Sequence, residues 1–190
     1  MKLFQRTANP HALTLGMTAI KMGDRFLQIG CAHGGRLAAL AGKVGLSGRA
    51  CVATDRESDA ARAQKAAADA GLLIEVDVAP LDHLPYEDEG FDLIVIDDTG
   101  ELMAAHDDAQ RDGLLRETMR LLRPGGRLFA LDSTGATGLA GLLHRAPSDS
   151  PYRRDGGALT LLQRAGYRSA RKLAEREGLA FIEGMKPRRS

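Results

Sequence analysis

Residues 26–35 read FLQIGCAHGG, four residues suited to a buried strand followed by a turn crowded with small side chains. Missing Cβ atoms let main-chain N–H groups come close to a ligand, and a strand–turn–helix of this kind is a common way to admit a nucleotide-like molecule. The glycine spacing is ambiguous. Gly30, Ala32 and Gly35 approximate G-x-G-x-x-G with Ala in the middle, whereas Gly30, Ala32 and Gly34 approximate G-x-G-x-G. Three carboxylates end apolar runs further along: Asp55 after RACVAT, Asp97 in FDLIVID and Asp132 in RLFALD. The two cysteines, Cys31 and Cys51, have neither a metal-binding nor a redox spacing and read as reduced thiols in apolar settings.

The elements that must position these groups alternate in type. Strands are expected at about 25–30, 49–54, 73–78, 91–97 and 127–132, and helices at about 11–22, 35–44, 58–70 and 107–122. Asn9 and Pro10 introduce the first helix, Gly71 closes the third, and Pro124-Gly125-Gly126 stops the fourth. FDLIVID is apolar almost throughout, as in a parallel strand buried on both faces. After an irregular stretch, 133–157, a helix near 157–165 leads into extended segments 167–174 and 179–184. So short a link at Gly178 requires antiparallel pairing. Alternation of this kind predicts an α/β doubly wound sheet.

The chain has 190 residues, enough for one domain with a substantial core. With 26 basic against 25 acidic side chains there is no global field to draw it to nucleic acid or an anionic membrane, so neither is expected as a partner. No run approaches the roughly 20 apolar residues of a membrane span, and no signal-like apolar stretch is present near residue 1. Together with the cysteine usage this leads us to expect a soluble, cytoplasmic protein.

In their order, GDRFLQIGCAHG, VATD, EVDVAPLDHLPYEDEGFDLIVID, LLRPGGRLFALD, AGY and FIEGMKP resemble a class I S-adenosylmethionine (SAM)-dependent methyltransferase. The likeness runs from about Gly23 to Lys186, and its flavour is that of small-molecule enzymes similar to the ubiquinone-biosynthesis methyltransferases. The resemblance implies a mostly parallel seven-stranded sheet of order 3-2-1-4-5-7-6, strand 7 antiparallel, with helices on both faces. It implies one domain over 1–190, with residues 1–22 as an N-terminal helical cap and 133–157 as a lid or insertion. It also implies SAM as cofactor and a small-molecule methyl acceptor as partner.

Carried over to this chain, the cofactor residues would be Gln28, Gly30, Cys31, Ala32, Gly34, Asp55, Arg56, Asp77, Val78 and Asp97. Asp55 would take both ribose hydroxyls on its two oxygens. Asp77 would accept from the adenine amino group, with the Val78 N–H on the ring and Leu81 or His83 over the base. Asp97 would meet the methionyl ammonium. Two departures stand out: Gln28 where the family has Asp or Glu, and Ala32 where it has Gly. Losing a charge-assisted bond at Gln28 predicts weaker or rearranged cofactor binding.

Methyl transfer from a sulfonium requires chiefly alignment, and a base only where the acceptor must lose a proton. Candidate catalytic groups are Asp97, Asp98 and His11, with Thr99, His144 and Tyr152 as further possibilities. His33 is expected to orient the glycine turn, and His106 to belong to a helix start. Asp97 and Asp132 end adjacent strands, as in metal-dependent catechol-type enzymes, but Ser133 replaces the expected Asn, and no metal is assigned. Two other readings stay open: a noncatalytic SAM-binding or partner-binding protein, and a nicotinamide-binding oxidoreductase using the same glycine turn and Asp55.

Overall fold

A computed structural model describes residues 9–134 and 150–189. Seven strands form one sheet: β1 (Arg25–Ile29), β2 (Arg49–Thr54), β3 (Glu75–Val78), β4 (Phe91–Asp98), β5 (Leu122–Ser133), β6 (Arg168–Arg176) and β7 (Leu179–Met185). Their order is β3-β2-β1-β4-β5-β7-β6. The first five pair in parallel, while β7 runs antiparallel to both β5 and β6. The helices are α1 (Ala12–Thr18), α2 (Gly34–Val44), α3 (Glu57–Ala70), α4 (Leu102–Ala105), α5 (Asp108–Leu121), α6 (Pro151–Arg154) and α7 (Gly157–Arg164).

The sheet separates two apolar layers, and strand parity decides which residue enters which. Leu27, Ile29, Ile94, Ile96, Leu128 and Ala130 share a core with α4, α5 and α7. Phe26, Leu93, Val95, Phe129 and Leu131 face the opposite core, under α2. Successive side chains of a strand point to opposite faces, so the same parity sends Asp97 to the α2 side and Asp98 to the α4–α6 side. No helix among the described residues is long and apolar enough to cross a membrane.

Local differences from the sequence expectation have identifiable causes. α1 stops at Thr18, because Ala19 takes a left-handed backbone, and does not reach residue 22. β5 begins at Leu122, straight after α5, where Leu122 pairs with Phe91; the register then shifts so that Arg127 pairs with Leu93. Pro124-Gly125-Gly126 is therefore an irregularity within the strand, with Gly125 at φ 77°, and not a spacer before it. α4 and α6 were not expected; at four residues each they are too short to produce a helical period. Of the 133–157 segment, residues 135–149 lie outside the described residues, and with them His144. The described remainder is anchored: Tyr152 is buried and Arg153 donates to the Ser133 carbonyl at 2.9 Å.

Candidate functional site

The glycine turn after β1 is crowded first by the protein itself. Gly30 has φ 74°, and a Cβ there would lie 3.3 Å from Leu102 Cδ2 and 3.4 Å from the Asp97 carbonyl oxygen. A Cβ on Gly34 would come within 2.9 Å of Ala66 Cβ on α3. The turn's amides are held by carboxylates: the Cys31 N–H donates to Asp59 Oδ2 at 3.1 Å and the Ala32 N–H to Asp97 Oδ2 at 3.0 Å. Arg62 ties the array together, donating to Asp59 Oδ1 at 2.8 Å and to the Cys31 carbonyl. Asp59 and Arg62 escaped the sequence reading because, on α3, they look like an ordinary i, i+3 surface pair. Cys31 is fully buried, and burial with Asp97 and Asp59 nearby pushes its thiol up to about 12, so it is chemically quiet.

Gln28 is fully buried on β1. Its Nε2 donates to the Gly30 carbonyl at 2.9 Å, bracing the turn, while its Oε1 has no hydrogen-bond partner. A carboxylate could not donate that bond, so the turn is built around an amide at this position. Ala32 packs toward Gly100, whose missing side chain leaves the room: a Cβ on Gly100 would sit 2.9 Å from Ala32 Cβ. The methyl group that departs from the family pattern is thus accommodated by a second glycine.

Two clefts open at the carboxyl ends of the strands. One of ≈ 300 Å³ is lined by Ala32, Arg56, Asp59, Arg62, Asp97 and Leu102 among others. The second, ≈ 330 Å³, is lined by Asp55, Pro80, Leu81, Asp82, His106 and Gln110. Asp55 and Arg56, consecutive at the end of β2, contribute to one each. The Asp55 carboxylate is partly exposed and contacts His106 Nε2 at 2.9 Å, with Arg56 Nε at 3.9 Å. His106 is not at a helix start as expected: it caps the C-terminus of α4, and Asp107 begins α5 with a capping box. Asp82, His106 and Gln110 were missing from the predicted site; only the fold brings the start of α5 over the end of β2.

Asp77 does not line either cleft. Its Oδ2 accepts from the Tyr86 hydroxyl at 2.8 Å, and Tyr86 packs edge-on against Phe91. Val78 is 47% exposed, and Leu81 lines the second cleft, whereas His83 is exposed and lines neither.

On the α2 face, Asp97 Oδ1 takes bonds from Arg36 Nη1 at 3.2 Å and Thr99 Oγ1 at 2.6 Å, an ion pair almost wholly buried. Beside it His33 caps α2, its Nδ1 accepting from the Arg36 N–H at 3.2 Å. The His11 ring stands edge-on to His33 at 5.1 Å. Partial burial, His33 and Arg36 all lower the pKa of His11, so it is neutral near pH 7.

On the opposite face, Asp98 pairs in register with Asp132, so Asp98 and not Asp97 is the neighbour of that carboxylate. Asp98 Oδ1 accepts from the Met103 N–H at 2.7 Å and holds the start of α4, while Oδ2 is buried with no partner. Burial and Asp132 push the Asp98 carboxyl up to about 7. Asp132 is also raised, by burial outweighing Arg153, whose Nη2 lies 2.8 Å from Asp132 Oδ1 without hydrogen-bond alignment. Tyr152, 4% exposed, adds a hydroxyl with no hydrogen bond, held un-ionised by burial and by Asp98. Among the described residues no group of three or more His, Cys, Asp or Glu side chains is placed to hold a metal ion.

Comparison with known proteins accords with this architecture. A family model described as a methyltransferase domain matches residues 27–130, over half the chain. A 27-O-demethylrifamycin SV methyltransferase from Amycolatopsis mediterranei is 34% identical over 129 residues, 67% of this chain and 45% of its own. The ubiquinone/menaquinone biosynthesis C-methyltransferase UbiE of Chromobacterium violaceum is 27% identical over 119 residues, 63% of this chain and 47% of its own. The chain thus spans less than half the length of these curated relatives. A SAM-dependent methyltransferase from Aquifex aeolicus shares the fold, with TM-score 0.72 at 20% identity, covering 92% of this chain and 88% of that one. With the family model spanning the strands that carry the glycine turn, Asp55 and Asp97, the chain belongs to the class I SAM-dependent methyltransferases.

Proposed function

We propose that this chain transfers a methyl group from SAM to a small-molecule acceptor by in-line displacement. The observation that carries the reading is the pair of clefts at the carboxyl ends of β1, β2 and β4, with Asp55 between Arg56 and His106. A ligand with a diol, a flat base and a zwitterionic end needs such unlike partners along one groove. The residues present fit it. Asp55 offers acceptor oxygens to a ribose diol once it exchanges its contact with His106. Leu81 supplies an apolar wall for the base, and the Val78 N–H is a donor candidate beside it. At the other end, Arg56 and Arg62 suit a carboxylate, and Asp97 and Asp59 suit an ammonium.

When bound, SAM supplies an activated methyl on a sulfonium, so the protein's task is orientation and exclusion of water. Gly30, Cys31, Ala32 and Gly34 fix the groove floor, and Gln28 acts from beneath by bracing Gly30. We assign Asp77 a structural part, locking the end of β3 through Tyr86. The acceptor side is formed by α1 with His11, the Asp97–Thr99 turn, and α6.

Calorimetric titration with SAM, S-adenosylhomocysteine (SAH) and NAD tests this reading. SAM and SAH should bind and NAD should not. Asp55→Ala should weaken SAM by at least about 1.5 kcal/mol, the loss of a charged acceptor, while the fold survives because the side chain is at the surface. Binding of NAD alone overturns the reading, and binding of none of the three favours a scaffold without catalysis.

A further inference from the structure

Asp98, Asp132, Tyr152 and Arg153 form a polar cluster on the α4–α6 side of the sheet, and the fold does not need all of it. Asp98 Oδ1 secures α4 through Met103, and Arg153 Nη1 secures α6 through the Ser133 carbonyl. Asp98 Oδ2, Tyr152 Oη and Arg153 Nε remain buried with no hydrogen bond, while Arg153 Nη2 has only its ion contact with Asp132 Oδ1 at 2.8 Å. Buried polar atoms are normally hydrogen-bonded, so three left over in one place are a mark of a missing polar partner. The gathered chemistry is specific: an acceptor oxygen on Asp98, a hydroxyl on Tyr152 that can donate or accept, and a guanidinium that favours negative charge. A cleft of ≈ 240 Å³ is lined by Asp132 and Arg153 of the cluster and by the start of α7, with Asp98 and Tyr152 buried behind them. Gly157, at that helix start, lies against both Asp132 and Tyr152: a Cβ there would be 3.9 Å from Asp132 Oδ2 and from Tyr152 Oη.

We propose that this cluster binds a hydroxyl group of the acceptor and that Asp98 takes its proton, so that the chain methylates oxygen. The inference rests on the methyl-transfer reading above. The acceptor O–H proton passes to Asp98 Oδ2. The oxygen's electron pair forms the new O–CH₃ bond as the donor's S–CH₃ bond breaks, its pair staying on sulfur. Tyr152 donates to the acceptor oxygen, and Arg153 stabilises the charge that develops on it. A carboxyl that burial and Asp132 hold near neutrality is suited to such a transfer. Asp97 and Asp132 raise it, Arg153 and the Met103 N–H lower it, and Arg111 stacks over the far side of Tyr152 at 5.4 Å.

The test uses the full chain with Asp98→Asn and Tyr152→Phe, changes that keep the shape of each side chain. All three proteins should bind SAH alike. para-Nitrophenol added to the SAH-saturated wild type should bind and ionise, seen in its absorbance, with affinity falling about tenfold in Asp98→Asn. Methyl transfer from labelled SAM to para-nitrophenol should fall about 100-fold in Asp98→Asn and about tenfold in Tyr152→Phe. Below about pH 7 the wild-type rate should fall more steeply than that of Asp98→Asn, which should follow only the ionisation of para-nitrophenol itself. Unchanged binding and transfer in Asp98→Asn, or transfer to para-nitroaniline alone, overturns the proposal. Wild type that binds SAH but not para-nitrophenol overturns it too, and leaves the cofactor reading standing. Wild type that fails to bind SAH overturns the reading beneath both.

Discussion

Gln28 and Asp98 show how single buried groups bind fold to function. From the sequence, Gln28 looks like a weakened carboxylate, and Gln28→Glu would be expected to tighten SAM. In the structure its amide donates to Gly30, a bond an ionised Glu cannot make, inside a fully buried site. We therefore expect Gln28→Glu to lower stability by about 1–3 kcal/mol in denaturant unfolding, with no gain in SAM affinity. Tighter binding with unchanged stability would contradict this. Asp98 has the opposite sign from a salt-bridged carboxylate. Its folded pKa of about 7 lies above the ordinary 3.8, so between these values the folded state holds a proton that the unfolded chain has released. Its contribution to stability is therefore lost as pH rises through that window. The wild type should lose on the order of 2–3 kcal/mol more than Asp98→Asn between about pH 5 and about pH 8, measured by urea unfolding of each. Parallel pH curves would show that Asp98 is not protonated as described.

At the scale of elements, α2, α3 and the end of β4 act as one clamp on the glycine turn. Arg36 reaches from α2 to Asp97, Asp59 and Arg62 reach from α3 to Cys31, and Gly34 lets the two helices meet. Gly34→Ala should cost about 1–3 kcal/mol in chemical unfolding, because a methyl 2.9 Å from Ala66 Cβ forces α2 and α3 apart and backbone cannot yield cheaply. It should weaken SAM as well, since the same displacement moves Cys31 and Ala32. Stability equal to wild type would mean the turn's glycine serves the ligand and not the helix contact.

For the whole molecule, the β6–β7 hairpin closes the sheet. β7 pairs along β5 from Arg127 to Ser133 and buries Phe181 and Ile182 on opposite faces. A chain ending after Gly166 would leave β5 as an open edge and both cores uncovered. It should lose cooperative thermal unfolding and aggregate; a sharp calorimetric transition from that fragment would show that the first five strands suffice.

By itself the sequence determined the alternation of strands and helices, the antiparallel end, the glycine turn and the placing of Asp55, Asp97 and Asp98 at strand ends. Those features are local: apolar runs, glycine and proline punctuation and strand parity act over a few residues, so they can be read one segment at a time. Tertiary structure decided what each group touches. Asp77 turned to Tyr86, His106 came over Asp55, and Asp59 and Arg62 reached the glycine turn, all through contacts between segments far apart in the chain. The two neighbouring carboxylates parted for the same reason. Strand parity sends Asp97 and Asp98 to opposite faces, but only the packing of Arg36 on one side, and burial beside Asp132 on the other, makes the first an ion pair and the second a near-neutral acid.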